Sequence, residues 1–217
     1  AAASHELRSP LSVIRSSLSA IPAAPDRQEQ FLKNIDNECC RMSHLINDML
    51  LLASADAGSW SFRPEPLDVD TLLIETYECF EPICLEKNLK LSLDLPESSL
   101  PHIMGDKHRL LQVLTILLDN ALTYSPAGGT IRISAALNEK KSSLILAVED
   151  EGCGIPDEIK KHIFERFYRA DDSRTGKQHY GLGLSIAKEL VSLHGGTISV
   201  TDSSIGGACF LIRLPVK

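Results

Sequence analysis

Near the N-terminus, apolar residues recur at helical spacing. Leu7, Leu11, Ile14, Leu18 and Ile21 follow one another at steps of four and three, the beat of a helical seam. A helix is predicted over residues 4–21, broken by Pro22-Ala23-Ala24-Pro25. Asp26 is predicted to N-cap a second, longer helix, along which Phe31, Ile35, Met42, Leu45, Met49 and Leu52 keep a heptad rhythm. Two such helices joined by a short loop form an αα-hairpin. A hairpin cannot bury its apolar seam alone. Either the rest of the chain covers it, or a second copy does, giving a four-helix bundle and a C2 dimer. The expectation here is the dimer.

After Ala57-Gly58-Ser59 the pattern changes. Phe62 to Pro66 reads as a short strand, and Asp68 to Asn88 as a helix with Leu72, Leu73, Tyr77 and Phe80 inward, disturbed at Pro82. Leu89, Leu91, Leu93 and Leu95 alternate with polar residues, a strand signal. Asp106 is placed to cap a strongly apolar helix through Thr123. Thr130–Leu137 and Ser143–Asp150 read as strands around an Asn138–Ser142 turn. A polar stretch containing Gly152 and Gly154 leads to a helix from Gly183 to His194, with Gly195-Gly196 as its C-cap. Thr197–Thr201 and Ala208–Leu214 close the chain around Gly206-Gly207, with the last strands expected to run as a meander. The predicted class is α+β: a helical hairpin over 1–57, then an α/β sandwich over 61–217 whose sheet carries helices on one face.

Composition narrows the function classes. The chain has 217 residues, 43% hydrophobic and 24% charged, as in ordinary globular proteins. Its formal net charge of −7 argues against nucleic-acid binding. It lacks an apolar run of about 18 residues, so no membrane contact is expected of this fragment. No signal peptide is visible, and the chain opens almost on its first reactive residues, so it reads as an excised piece. Six cysteines show no metal-ligand spacing and are expected to be buried, reduced thiols of a cytosolic protein.

The reactive residues are Ser4-His5-Glu6-Leu7-Arg8-Ser9-Pro10-Leu11. At about 100° per residue, His5 falls opposite the leucine seam and Ser9 shares its face. Pro10 loosens the turn. An exposed imidazole titrates near neutrality, and the neighbouring carboxylate of Glu6 can take one ring proton while the other nitrogen attacks an electrophile. A solvated histidine with no such role is the plain alternative.

Four further pieces follow. Asn120, in Leu117-Leu118-Asp119-Asn120-Ala121, is an amide among residues chosen for burial and offers a hard oxygen to Mg²⁺. Asp150 ends an apolar strand before Glu151-Gly152-Cys153-Gly154; its carboxylate can accept from an exocyclic amine, and the glycines let backbone approach a flat ring. Phe164-Glu165-Arg166-Phe167-Tyr168-Arg169 places two aromatics on one helical face and two arginines on another, within reach of phosphate. Gly181-Leu182-Gly183-Leu184 opens a helix, an anion site. Each alone is also readable as core, turn or cap. Their order and spacing carry the argument.

Together they resemble the catalytic core of a sensor histidine kinase of a two-component system. Residues 4–11 match that family's phosphoacceptor box, 116–126 its asparagine box, 150–154 and 181–184 its two glycine boxes, and 164–169 its phenylalanine box. The resemblance implies a dimerisation and phosphotransfer hairpin followed by a Bergerat-type ATP-binding domain, with ATP and Mg²⁺ as cofactors. It implies that His5 receives the γ-phosphoryl group, Glu6 is its general base, and Ser9 stands where the family often has a threonine that aligns water for dephosphorylating the response regulator. It further implies that Asn120 binds Mg²⁺, Asp150 holds the adenine amine, Gly152 and Gly154 line the base, Tyr124 and Arg169 sit by the nucleotide, Gly181 and Gly183 hinge a lid over the phosphates, and Leu182 between them belongs to the nucleotide site. The implied partners are a second copy and the receiver domain of a response regulator. The implied place is the cytoplasmic portion of a membrane-anchored sensor.

Three positions depart from the family. Ile116 stands where a second asparagine is usual, Thr123 where a lysine is usual, and His179 where the second glycine box usually begins. Arg174, Lys177 or His179 are the candidates to compensate for the missing phosphate contacts. These departures predict weakened Mg-ATP binding and keep two alternatives open: a kinase-impaired, phosphatase-dominant member, and an ATP-binding conformational module.

Overall fold

The computed structural model describes residues 2–140, 142–169 and 180–216, with side chains from Glu6 onward. Helix α1 spans Ala2–Ala20 and α2 spans Gln28–Asp56, joined by 3-10 turns at Ile21–Ala23 and Pro25–Arg27. Both turns begin at or next to proline, whose fixed φ suits a helical first position. Asp26 does not cap α2: Pro25 draws it into the turn, and the N-cap falls on Arg27 with no side-chain hydrogen bond.

The hairpin buries less than its heptads promise. Pro10 and Ser17 on α1 and Leu45 and Leu52 on α2 are buried. Leu11 and Leu18, predicted in one seam with Leu7 and Ile14, are each 53% exposed, as are Leu32, Ile46 and Leu50 on α2 to similar degrees. One facing helix covers only part of a helix surface, and the apolar stripe here is wider than that part.

The chain divides into two compact units. Residues 1–60 and 165–183 form the first; 61–164 and 184–217 form the second. The second is built on a five-stranded sheet. Its strands are β2 (Lys90–Asp94), β4 (Thr130–Leu137), β5 (Ser143–Asp150), β6 (Thr197–Asp202) and β7 (Ala208–Pro215), in the order β2-β4-β5-β7-β6. β2 and β4 are parallel and the other pairs antiparallel. The expected meander is therefore corrected: β7, not β6, lies against β5. β7 is the more apolar strand and takes the inner place, while β6, with Thr197, Ser199 and Thr201, takes the edge.

Registers fix the inward face. Ile131 of β4 stands opposite Asp150 of β5 and Ile133 opposite Val148, which in turn stands opposite Phe210 of β7. Helices α3 (Val69–Glu86), α4 (Lys107–Tyr124) and α6 (Gly183–Leu193) contribute Leu72, Leu73, Leu114, Leu118, Ile186 and Leu190 to the core, and a single turn, α5 (Asp157–Lys160), precedes α6. α3 runs through Pro82 unbroken. A separate two-stranded ribbon pairs β1 (Glu65–Leu67) with β3 (Ile103–Gly105). β1 lies three residues later than the predicted strand start, and β3 is too short to carry a period.

Asp106 caps α4 as predicted, accepting from the Arg109 N–H at 3.2 Å and also from the Arg63 N–H at 3.1 Å. Burial pushes its carboxyl up, but these N–H donors outweigh that and hold it below the usual range. Its own N–H donates to His194 Nε2 at 3.0 Å, while His194 Nδ1 meets the Leu190 carbonyl at 2.7 Å. The cysteines are all free, but only Cys84 and Cys209 are buried; Cys39, Cys40, Cys79 and Cys153 are exposed. No described helix is long and apolar enough to cross a membrane.

Candidate functional site

Asp150 is the last residue of an inward row that begins Leu144, Leu146, Val148. The strand's period puts a carboxylate where a core aliphatic would stand, 5% exposed. Its Oδ1 accepts from the Gly152 N–H at 2.8 Å and the Ala208 N–H at 3.1 Å. Burial pushes the Asp150 carboxyl up; the two N–H bonds pull it back only in part, and it stays above its ordinary value. Both bonds fall on Oδ1, which leaves Oδ2 to accept from a ligand.

Glycine is required around this group. A Cβ on Gly152 would stand 2.7 Å from Asp150 Oδ1 and 2.9 Å from the Tyr124 carbonyl oxygen. A Cβ on Gly207 would collide with the same carboxylate and with the Gly152 nitrogen. Gly154 adopts φ +70°, facing the Gly207 carbonyl. Glu151 turns away, its Oε2 accepting from the Thr130 N–H at 3.0 Å.

The end of α4 meets this turn through the Tyr124 backbone. Asn120 lies one helical turn earlier and is half-buried; the Tyr124 side chain is exposed. Ile116, a further turn back, offers no oxygen. Thr123 Oγ1 donates to the Asp119 carbonyl at 2.7 Å, and its side chain carries no cation. Among the described residues no group of three His, Cys, Asp or Glu could cage a metal. The Asn120 side-chain carbonyl is a hard oxygen of the kind Mg²⁺ accepts, and such an ion keeps waters and phosphate oxygens and would need few protein ligands.

The other predicted residues lie in the first unit. Glu6 is half-buried and Ser9 exposed on α1. His5 belongs to α1, but its side chain lies outside the described residues. Gly181 has φ +72°, and a Cβ there would come within 2.6 Å of the Tyr168 carbonyl oxygen; its own carbonyl accepts from the Phe167 N–H at 2.8 Å. Leu182 is buried, Gly183 opens α6, and Arg169 is half-buried. His179, Arg174 and Lys177 lie outside the described residues.

The phenylalanine segment is corrected. It is a turn, not a helix, because Phe167 takes φ +62°. Phe164 stands edge-on to Phe210 at 6.4 Å between ring centres. Arg166 does not await phosphate: its guanidinium grips both oxygens of Asp56 at 2.6 and 2.7 Å.

The structure thus brings Tyr124, Asp150, Gly152 and Gly154 together in the second unit, with Asn120 one turn away. Glu6, Ser9, Arg169, Gly181, Leu182 and Gly183 fall in the first. Sequence reading missed Gly207 and Ala208, which close the cradle over Asp150. Their signal was the Gly206-Gly207 pair, read only as a turn.

Two family profiles match the chain. The histidine kinase-, DNA gyrase B- and HSP90-like ATPase family matches residues 105–217, and the His Kinase A (phospho-acceptor) domain matches 1–58. The sensor histidine kinase WalK of Bacillus subtilis is 37% identical over 99% of this chain, which spans 36% of that protein. The Acinetobacter baumannii histidine kinase AdeS shares the fold over 98% of both chains, with a TM-score of 0.78 and 28% identity. Full-length ShkA in complex with AMPPNP matches 88% of this chain and 39% of its own, with a TM-score of 0.74 and 26% identity. The chain spans little more than a third of the first of these proteins. With a carboxylate set in a glycine cradle and a phospho-acceptor helix ahead of it, the chain belongs to the histidine kinase-type ATPase family and is the catalytic core of a sensor histidine kinase.

Proposed function

We propose that this chain transfers the γ-phosphoryl group of Mg-ATP to His5 and then to an aspartate of a response regulator. Residues 1–57 serve as the dimerisation and phosphotransfer hairpin and 61–217 as the ATP-binding part, within the cytoplasmic portion of a membrane-anchored sensor. The observation that carries the reading is Asp150. A buried carboxylate on a core row, with one oxygen held by backbone and glycines on both sides, suits an exocyclic amine on a flat ring. Adenine supplies both.

Asp150 Oδ2 accepts from the adenine amine, while Gly152 and Gly154 let the ring approach. Tyr124 and Arg169 flank the nucleotide, and Asn120 offers its carbonyl oxygen to Mg²⁺. Gly181, Leu182 and Gly183 present backbone N–H groups to phosphate at the start of α6. In the transfer, a His5 ring nitrogen forms the P–N bond as the bond from the γ-phosphorus to the β–γ bridging oxygen breaks. Glu6 takes the proton from the other ring nitrogen, and ADP leaves with the bond electrons. Positioning and charge neutralisation supply most of the rate in such a transfer.

A second reading is favoured by two observations. Ile116 supplies no oxygen ligand, and no cation stands at Thr123. A kinase weakened in this way, with the exposed Ser9 hydroxyl next to the acceptor turn, would act mainly as a phosphatase on its regulator. The test is incubation with γ-labelled ATP and Mg²⁺. Acid-labile, alkali-stable label that vanishes in His5→Ala supports the kinase. No label, with dephosphorylation of the regulator that Ser9→Ala removes, selects the phosphatase. Label that survives His5→Ala overturns both.

A further inference from the structure

The first compact unit contains more than the hairpin. The segments on either side of residues 170–179 belong to it, and each is fastened to α2. On one side Arg166 makes its two-pronged ion pair with Asp56, the last residue of α2. The pair holds the Asp56 carboxyl below its usual range, chiefly through the hydrogen bond from Arg166. On the other side the Tyr180 ring lies under the Arg41 guanidinium, 5.4 Å from ring centre to carbon. Arg41 is itself steered by Glu38, one turn earlier, through bonds of 2.9 and 3.1 Å.

The second contact lies near the acceptor turn. Burial pushes the Tyr180 phenol up, Arg41 pulls it down, and the Glu38 and Glu6 carboxylates push it up again. Glu6 is therefore within electrostatic reach of the tyrosine that precedes Gly181, and Glu6 adjoins His5.

We propose that Arg41, with Glu38 behind it, and the Asp56–Arg166 pair are positioning groups for autophosphorylation: they hold Tyr180 and the residues after Phe164 on α2, so that the second glycine box is presented beside the turn carrying His5. In this reading they act through the glycine box and not on the reacting atoms. The exposed Asp56–Arg166 pair is weak enough to be made and released in each cycle, and the Arg41–Tyr180 contact, though half-buried, is a single cation–π stack. The geometry explains why the Asp56 and Arg41 side chains of α2 face partners more than a hundred residues away in sequence.

The proposal rests on His5 being the acceptor. It is tested by single-turnover labelling of the full chain, alongside the affinity for a non-hydrolysable ATP analogue and transfer from phosphorylated His5 to the receiver domain. Arg166→Asp and Tyr180→Leu should each slow His5 labelling about two- to fivefold, the range that weak surface contacts allow. Analogue affinity and transfer to the receiver should stay within about twofold of wild type. The exchange Asp56→Arg with Arg166→Asp should restore the rate, and Tyr180→Phe, which keeps the ring, should keep it. Wild-type labelling rates in the single variants, faster rates, or a loss of rate matched by loss of analogue affinity would each overturn the proposal while leaving His5 as acceptor. Wild-type protein without label on His5 would overturn the functional reading beneath it as well.

Discussion

The two compact units bury their apolar residues to different ends. In the second, the sheet and its helices enclose Leu73, Val113, Leu117, Ile131 and Leu144 almost completely. In the hairpin, large aliphatic side chains stay out: Leu11, Leu18, Leu32, Ile46 and Leu50 are each 44–61% exposed. The second unit leaves a few out as well, Leu85 at 69% and Met104 at 47% among them, but its core is closed within one copy. The hairpin's is not, and the exposed residues Leu32, Cys39 and Ile46 repeat at heptad spacing, as a face awaiting another helix would. In the proposed function, a nucleotide cradle gains from rigidity and a signalling hairpin from an interface that can shift.

The largest effect separates the units outright. Ile46→Glu with Leu50→Glu places two charges on the exposed face, and sedimentation should show a dimer become a monomer while nucleotide affinity is unchanged. Retained dimers would mean that another surface joins the copies. Next in size, Leu118→Ala empties a fully buried position on α4 and should cost about 2–5 kcal/mol in denaturant unfolding of the second unit.

Asp150→Asn probes the cradle. The amide oxygen can keep the two backbone bonds, but its NH₂ would oppose the adenine amine. Losing a hydrogen bond to a charged group corresponds to about 10- to 100-fold in ATP affinity, read by calorimetry. The unliganded fold should not suffer. The Asp150 carboxyl is raised in the folded state, so its contribution is fully present below the unfolded value and lost as pH rises through the folded one. At neutral pH the ionised group opposes folding, so the asparagine variant should melt at the same or a higher temperature than wild type. A lower melting temperature would mean that the charge has a partner in the free protein. Smallest is Ile116→Asn, which restores an oxygen one turn before Asn120 and should raise His5 labelling several-fold; an unchanged rate would show that phosphate and metal are held elsewhere.

Legibility followed the range of the forces. β4 is readable to the residue because its alternation leaves one register, β5 because a short apolar run bounded by a turn marks a central strand, and Asp106 because a cap acts within one turn. Asp150 could be read as a strand-terminal carboxylate, and its place on the inward row follows from the same period. What escaped depended on distant partners or special backbone. Phe167 takes a left-handed φ that no pattern announces, so the sequence predicts a helix where the chain makes a turn. Arg166 was assigned to phosphate because nothing in its neighbourhood names Asp56. Gly207 closes over Asp150 from the far end of the chain. The inward place of β7 was set by competition between two strands, which neither reveals alone.

The account turns on a carboxylate that reads an amine. Its direct test is calorimetric binding of ATP against inosine triphosphate, whose ring carries oxygen in place of that amine, to the wild-type chain and to Asp150→Asn. The account predicts that wild type binds ATP more tightly by about tenfold or more, because two acceptors would otherwise face each other, and that Asp150→Asn narrows or reverses the preference. Equal binding of the two nucleotides by wild type, or an undiminished preference for ATP in the variant, would contradict it.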